Sequence, residues 1–145
     1  EKTIAANHFQ NAVLAKRIPS SPSWIVESTL SPSLLTMMAD HRVKGVSLFP
    51  GVGLVEMAFA AAIAKQRSIS SPVSSFTRLD NVNFLRPCTL TNSVLDDLNT
   101  LTLACEILPD GTLEIYNYTT DRKTRQSSAA TVVFSGSGIT FDKRR

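Results

Sequence analysis

The chain has 145 residues, enough for one domain with a substantial core, and 43% of them are apolar, an ordinary share for a globular protein. Its formal net charge is +3, carried largely by Lys143-Arg144-Arg145 and by Arg122, Lys123 and Arg125. No basic stripe interleaved with aromatics is present, which argues against a nucleic-acid partner. The two cysteines, Cys88 and Cys105, lack metal-ligand spacing, so they read as free, buried thiols of a reducing compartment, and a cytoplasmic or organellar location is expected.

In chain order, residues 1–22 read as an irregular lead-in. No apolar run follows a basic start, so no signal peptide is expected there. The lead-in ends in Pro19-Ser20-Ser21-Pro22, which cannot continue a helix. Ser23 to Leu30 alternates well enough for a strand. Ser31-Pro32-Ser33 then starts a short helical turn through Leu34, Leu35, Met37 and Met38. Residues 40–50 read as a turn-forming loop.

The clearest element follows, a helix from Gly51 to about Gln66. Pro50 suits a first helical position. Ala58, Ala60, Ala61, Ala62 and Ala64 are strong helix formers with short side chains. The helix is apolar on every side except for Glu56, so it is expected to be surrounded by protein. The apolar run includes that carboxylate and falls short of the roughly 20 residues of a membrane span. After a loop at 68–75 the chain reads as β. Phe76 to Leu85 is a strand ending before Pro87. Thr100–Leu108 and Leu113–Thr119 form a hairpin around the turn signal Pro109-Asp110-Gly111. In the second of these, Leu113, Ile115 and Asn117 share one side. Arg122–Arg125 is a polar turn, and Ser127–Ser135 a last strand. Gly136-Ser137-Gly138 leads into residues 139–145, read as a basic tail or linker outside a domain of residues 1–138. The class is α+β, with a long central helix wrapped by an antiparallel sheet.

The chemistry concentrates in Asp40-His41-Arg42-Val43-Lys44-Gly45-Val46-Ser47-Leu48-Phe49-Pro50. A lone histidine is more often structural than catalytic, but its neighbours raise the functional reading. Gly45 and Gly51 let backbone approach a ligand closely. Amides at the start of the helix, near Gly51 and Val52, carry the positive end of its dipole and can donate to a carbonyl oxygen as charge develops there. A neutral imidazole is a good base at physiological pH. Glu56 is expected to be tied to a backbone amide or an arginine, since burying it unpaired costs several kcal/mol. No Gly-x-Ser-x-Gly elbow, phosphate loop or dinucleotide fingerprint occurs.

The pattern His41-x-x-x-Gly45-x-x-x-x-Pro50 resembles the histidine motif of the dehydratase domains of modular polyketide synthases and animal-type fatty acid synthases. Leu54-Val55-Glu56-Met57-Ala58, Asn83-Phe84-Leu85-Arg86-Pro87 and the stretch from Pro109-Asp110-Gly111 to Tyr116 extend the likeness over about residues 8 to 138. The resemblance implies a hot-dog fold and dehydration of a β-hydroxyacyl thioester carried on the phosphopantetheine of an acyl carrier protein. By that likeness His41 is the base that takes the α-proton, Gly45 and Pro50 shape its loop, and no metal or redox cofactor is needed. Such dehydratases are double hot dogs whose second half supplies an Asp as acid. No Asp-x-x-x-Gln or Asp-x-x-x-His motif is present, so the chain resembles the amino-terminal half.

Three arrangements follow. The chain works with a separate second half that carries the acid. Or it is a homodimer, as in bacterial single-hot-dog dehydratases, with Glu56 of the partner as acid, five residues after Gly51. Or it is a non-catalytic binding or structural subunit, with His41 a relic.

Overall fold

A computed structural model describes residues 2–5, 12–16, 23–69 and 75–142. Nine strands and three helices are placed there: β1 (Lys2–Ala5), β2 (Ala12–Lys16), β3 (Trp24–Thr29), α1 (Pro32–Met38), β4 (Arg42–Val43), β5 (Val46–Ser47), α2 (Gly51–Ile69), β6 (Ser75–Phe84), α3 (Asn92–Leu95), β7 (Asn99–Ile107), β8 (Thr112–Asp121) and β9 (Thr131–Asp142). Seven strands make one sheet in the order β1-β2-β3-β7-β8-β9-β6, and each neighbouring pair is antiparallel. β4 and β5 form a separate hairpin.

Period-2 alternation decides which face of the sheet is core. Trp24, Val26 and Ser28 of β3 point inward, as do Leu101, Leu103, Cys105 and Ile107 of β7 and Leu113 and Ile115 of β8, all buried. Phe134 of β9, opposite Ile115, completes this face, and the adjacent Val133, at a break in the β8–β9 register, is buried as well. Against it lies α2, which packs on β6, β7, β8 and β9. The helix buries Leu54, Met57, Ala58, Ala61 and Ala62. Its alanines let the sheet come near: a Cβ built on Gly138 of β9 would stand 3.6 Å from the Ala62 Cβ. A long central helix against an antiparallel sheet is the hot-dog arrangement expected from the sequence.

Four expectations are corrected. The lead-in 1–22 is not irregular throughout: its described parts form β1 and β2, which pair with each other and, through β2, with β3. The last strand starts at Thr131 rather than Ser127 and runs to Asp142. Gly136-Ser137-Gly138 is therefore paired on both sides, with β8 and β6, and residues 139–142 belong to the sheet. Residues 143–145 lie outside the described residues. The segment 40–50 contains a hairpin where only a loop was expected. Finally, α2 is not enclosed on all sides, because Val52 is 74% exposed and Ile63 39%. Helix propensity made that segment helical, but only the position of the sheet chose which of its apolar faces is covered.

No described helix is long and apolar enough to cross a membrane. Cys88 and Cys105 are free and buried, as expected. Burial pushes the Cys105 thiol up to about 12, with the neighbouring Glu106 carboxylate adding to the effect.

Candidate active site

The site is built by local signals placed one after another. Ser31 caps α1, its hydroxyl accepting from the Leu34 amide at 3.2 Å, and Pro32 occupies the first turn, where its missing N–H costs nothing. The helix closes where the His41 amide donates to the Met38 carbonyl at 3.0 Å. From there Arg42 pairs with Ser47 and Val43 with Val46. The two turn residues, Lys44 and Gly45, both have positive φ, 52° and 80°. That is the geometry of a tight primed turn, in which glycine at the second position is unstrained. A Cβ on Gly45 would meet nothing within 4 Å. The glycine is therefore required by its backbone conformation, not by the close approach of another group.

The hairpin is fixed at its base and to the rest of the fold. The Leu48 amide donates to the His41 carbonyl at 2.9 Å. The buried Ser47 hydroxyl donates to the Ala39 carbonyl at 2.7 Å. A crossing segment then runs alongside: Phe49 donates to the Cys88 carbonyl at 2.8 Å, Leu90 donates to the Ser47 carbonyl at 2.9 Å, and Leu48 bridges Thr89. Phe49, Cys88 and Leu90 are all buried, so this junction is anchored in the core. Pro50 immediately precedes α2, and its carbonyl accepts from the Gly53 amide at 2.9 Å. Gly51 opens the helix, as expected, and the helix runs to Ile69.

His41, Gly45, Pro50 and Gly51 are thus brought together in one run that leads from α1 into α2. The His41 side chain is exposed, while its backbone is held from both sides. Gly51 lies against the edge strand: a Cβ there would be 3.1 Å from Cε1 of Phe84. Phe84 packs edge-on against the buried Phe134, with centroids 5.5 Å apart, yet remains 58% exposed. With Val82 and the following Leu85 it forms an exposed apolar rim at the end of β6, which is an outer strand of the sheet.

Glu56 departs from expectation. It sits on α2 half-buried, and neither an amide nor an arginine among the described residues pairs with it. Half-burial accounts for this: water still reaches the carboxylate, so the cost of leaving it unpaired within the protein is far below that of a dry charge. Asp40, Arg42 and Lys44 around His41 are exposed and form no ion pair among the described residues. No group of three His, Cys, Asp or Glu side chains there is arranged to hold a metal.

One contact was missed in the sequence. Asn117 stands on the side of β8 that carries Leu113 and Ile115, and its side-chain amide donates to the Cys88 thiol at 3.2 Å. Burial raises the Cys88 thiol and this hydrogen bond works in the opposite direction. The available signal was a polar residue at the third place of an apolar alternation. A separate shallow hollow, lined by Glu106, Leu108, Thr112 and Glu114 at the β7–β8 hairpin, contains none of the motif residues.

Comparison with known proteins agrees with this fold. The profile of the polyketide synthase dehydratase domain matches residues 12–116. A stretch of 44 residues is 46% identical to the mycoketide-CoA synthase of Mycobacterium tuberculosis, covering 30% of this chain and 1% of that protein. Among solved structures, GphF dehydratase 1 superposes with a TM-score of 0.66 at 19% identity, over 88% of this chain and 43% of that one. The dehydratase domain from the CurK module of the curacin polyketide synthase gives 0.58 at 14%, over 87% and 41%. The bifunctional dehydratase-cyclase domain in ambruticin biosynthesis gives 0.61 at 20%, over 97% and 46%. The chain thus spans less than half the length of the solved domains it matches. With a family profile matched from β2 to the middle of β8, and a fold shared with these domains, the chain belongs to the polyketide synthase dehydratase family and has the hot-dog fold of an amino-terminal half.

Proposed function

We propose that the chain is the base-carrying half of a dehydratase acting on β-hydroxyacyl thioesters borne by an acyl carrier protein in polyketide or fatty acid biosynthesis. The observation that carries this reading is the placement of His41: exposed side chain, backbone held at both ends, directly ahead of a largely buried helix. In the reaction an imidazole nitrogen of His41 takes the α-proton. The electron pair left on the α-carbon forms the double bond to the β-carbon. The β-hydroxyl leaves as water once it has received a proton from an acid. A general acid of this kind contributes roughly 10²–10⁴-fold. We assign the acid to an Asp of a second hot-dog half, in keeping with the share of the solved dehydratase domains that this chain spans. The outer strand β6, with Val82 and Phe84 exposed, offers an apolar edge against which such a half can pack. No cofactor takes part beyond the phosphopantetheine that carries the substrate, and the reduced thiols suit a cytoplasmic or organellar setting.

The homodimeric reading has one observation in its favour. Glu56 keeps its carboxylate unpaired among the described residues, as an acid serving a partner's site would need. The deciding experiment measures dehydration of a 3-hydroxyacyl carrier substrate by the chain alone and by the chain mixed with a separately produced second half, with gel filtration alongside. Turnover only in the mixture, abolished by His41→Ala, supports the half-domain. Robust turnover by the chain alone, lost on Glu56→Gln, overturns it in favour of the homodimer. No turnover in either setting, or turnover unaffected by His41→Ala, sinks the base role.

A further inference from the structure

We propose that Asn117 is a positioning residue for the His41 loop, acting through Cys88. Asn117 is half-buried on the face of β8 that carries Leu113 and Ile115, a polar side chain at the third place of an apolar alternation. Among the described residues its side chain bonds to one atom, the Cys88 thiol, at 3.2 Å. Cys88 is 2% exposed and so cannot exchange this partner for bulk water. It is also the joint of the site. Its carbonyl takes the Phe49 amide at 2.8 Å, and the next residue, Thr89, bridges Leu48, whose amide holds the His41 carbonyl at 2.9 Å. A continuous path therefore runs from a central strand of the sheet to the backbone of His41: Asn117 side chain, Cys88, Phe49 and Leu48, His41. β8 lies between β7 and β9, whereas the hairpin β4–β5 makes no ladder with the large sheet. The amide–thiol bond ties β8 to the crossing segment at Cys88, which in turn bonds to the hairpin through Leu90 and Ser47. Its importance for catalysis rests on the reading of His41 as the base, but its existence can be tested without any turnover.

The test is hydrogen exchange by NMR on the whole chain. In Asn117→Leu and in Cys88→Ala, the Phe49 and Leu90 amides should exchange about three- to tenfold faster relative to the amides of β7 from Ala104 to Ile107, as expected for loss of one buried hydrogen bond. Cys88→Ser, which keeps an acceptor, should restore protection to within about twofold. The His41 imidazole resonance, assigned by His41→Ala since the sequence holds one other histidine, His8, should move in the first two variants and return in the third. A uniform acceleration over β7 and the loop, or no acceleration in Cys88→Ala, overturns the proposal. If Asn117→Leu does not fold, the contrast between Cys88→Ala and Cys88→Ser decides: equal protection in the two sinks it. These readouts stand whether or not His41 proves catalytic, so failure of the positioning role and failure of the base role are separable.

Discussion

The amide of Leu48 closes on the carbonyl of His41 at 2.9 Å, across a hairpin whose two turn residues, Lys44 and Gly45, both lie in the left-handed region. The loop that presents His41 is therefore a folded unit with its own conformational demands. At φ 80° a side chain is strained even where space is open, so Gly45→Ala should lower stability by about 1–2 kcal/mol. Lys44 carries the same strain at φ 52° already, and asparagine tolerates that region better, so Lys44→Asn should raise stability by about 0.5 kcal/mol. Urea unfolding of the two variants checks both signs. Opposite signs are required.

Gly111 and Gly138 make the converse comparison. The Gly138 amide donates to the Gly111 carbonyl at 2.9 Å. A Cβ on Gly111, whose φ is 90°, would stand 2.9 Å from the backbone oxygen of Gly138, and neither backbone can yield cheaply. Gly111→Ala should cost about 2 kcal/mol or more. On Gly138 a Cβ would meet Ala62 and Leu113 at 3.6 Å, an ordinary contact. Gly138→Ala should stay within about 1 kcal/mol of the parent. Equal losses in the two variants would contradict this account of the β7–β8 hairpin.

Glu56 separates the two catalytic readings by stability as well as by turnover. Because the carboxylate is half-buried and unpaired among the described residues, Glu56→Gln removes no bond within the described fold. Its unfolding midpoint should shift by no more than about 0.5 kcal/mol equivalent. In the half-domain reading, turnover by the reconstituted pair should also survive the change. A loss of 2 kcal/mol or more, on the order of that for a broken buried charge pair, would show that Glu56 has a structural partner after all.

Alkaline stability should report on Cys105. Its thiol is fully buried and its ionisation is pushed up from 9.0 to about 12, by burial first and by Glu106 second. Raised above the unfolded value, the group contributes stability that is whole below pH 9 and is lost as pH rises toward 12, where the unfolded thiol ionises and the folded one does not. Cys88 is shifted in the same direction. Unfolding midpoints between pH 8 and about 10.5 should therefore fall with pH, and less steeply in Cys105→Val. An unchanged slope in that variant would show that other groups dominate the alkaline loss.

Much of the fold is legible in consecutive residues, because its signals are local. The alanines after Pro50-Gly51 specify α2, alternation specifies β3, β7 and β8, and Pro109-Asp110-Gly111 specifies the turn between the last two. The motif residues His41, Gly45 and Pro50 are likewise adjacent in sequence, so their grouping needed no tertiary information. What the chain alone does not display are the pairings set by distant segments. Gly136-Ser137-Gly138 has the composition of a linker, yet Gly136 lies opposite Leu113 and close to the β6 backbone, and Gly138 lies opposite Leu79 and against Ala62 of α2. Which apolar face of α2 is covered, whether Glu56 finds a partner, and that Asn117 reaches Cys88 across 29 positions are decided by the same long-range assembly. Helix propensity and turn chemistry act within a few neighbouring residues, whereas burial and strand pairing depend on what the rest of the chain brings alongside.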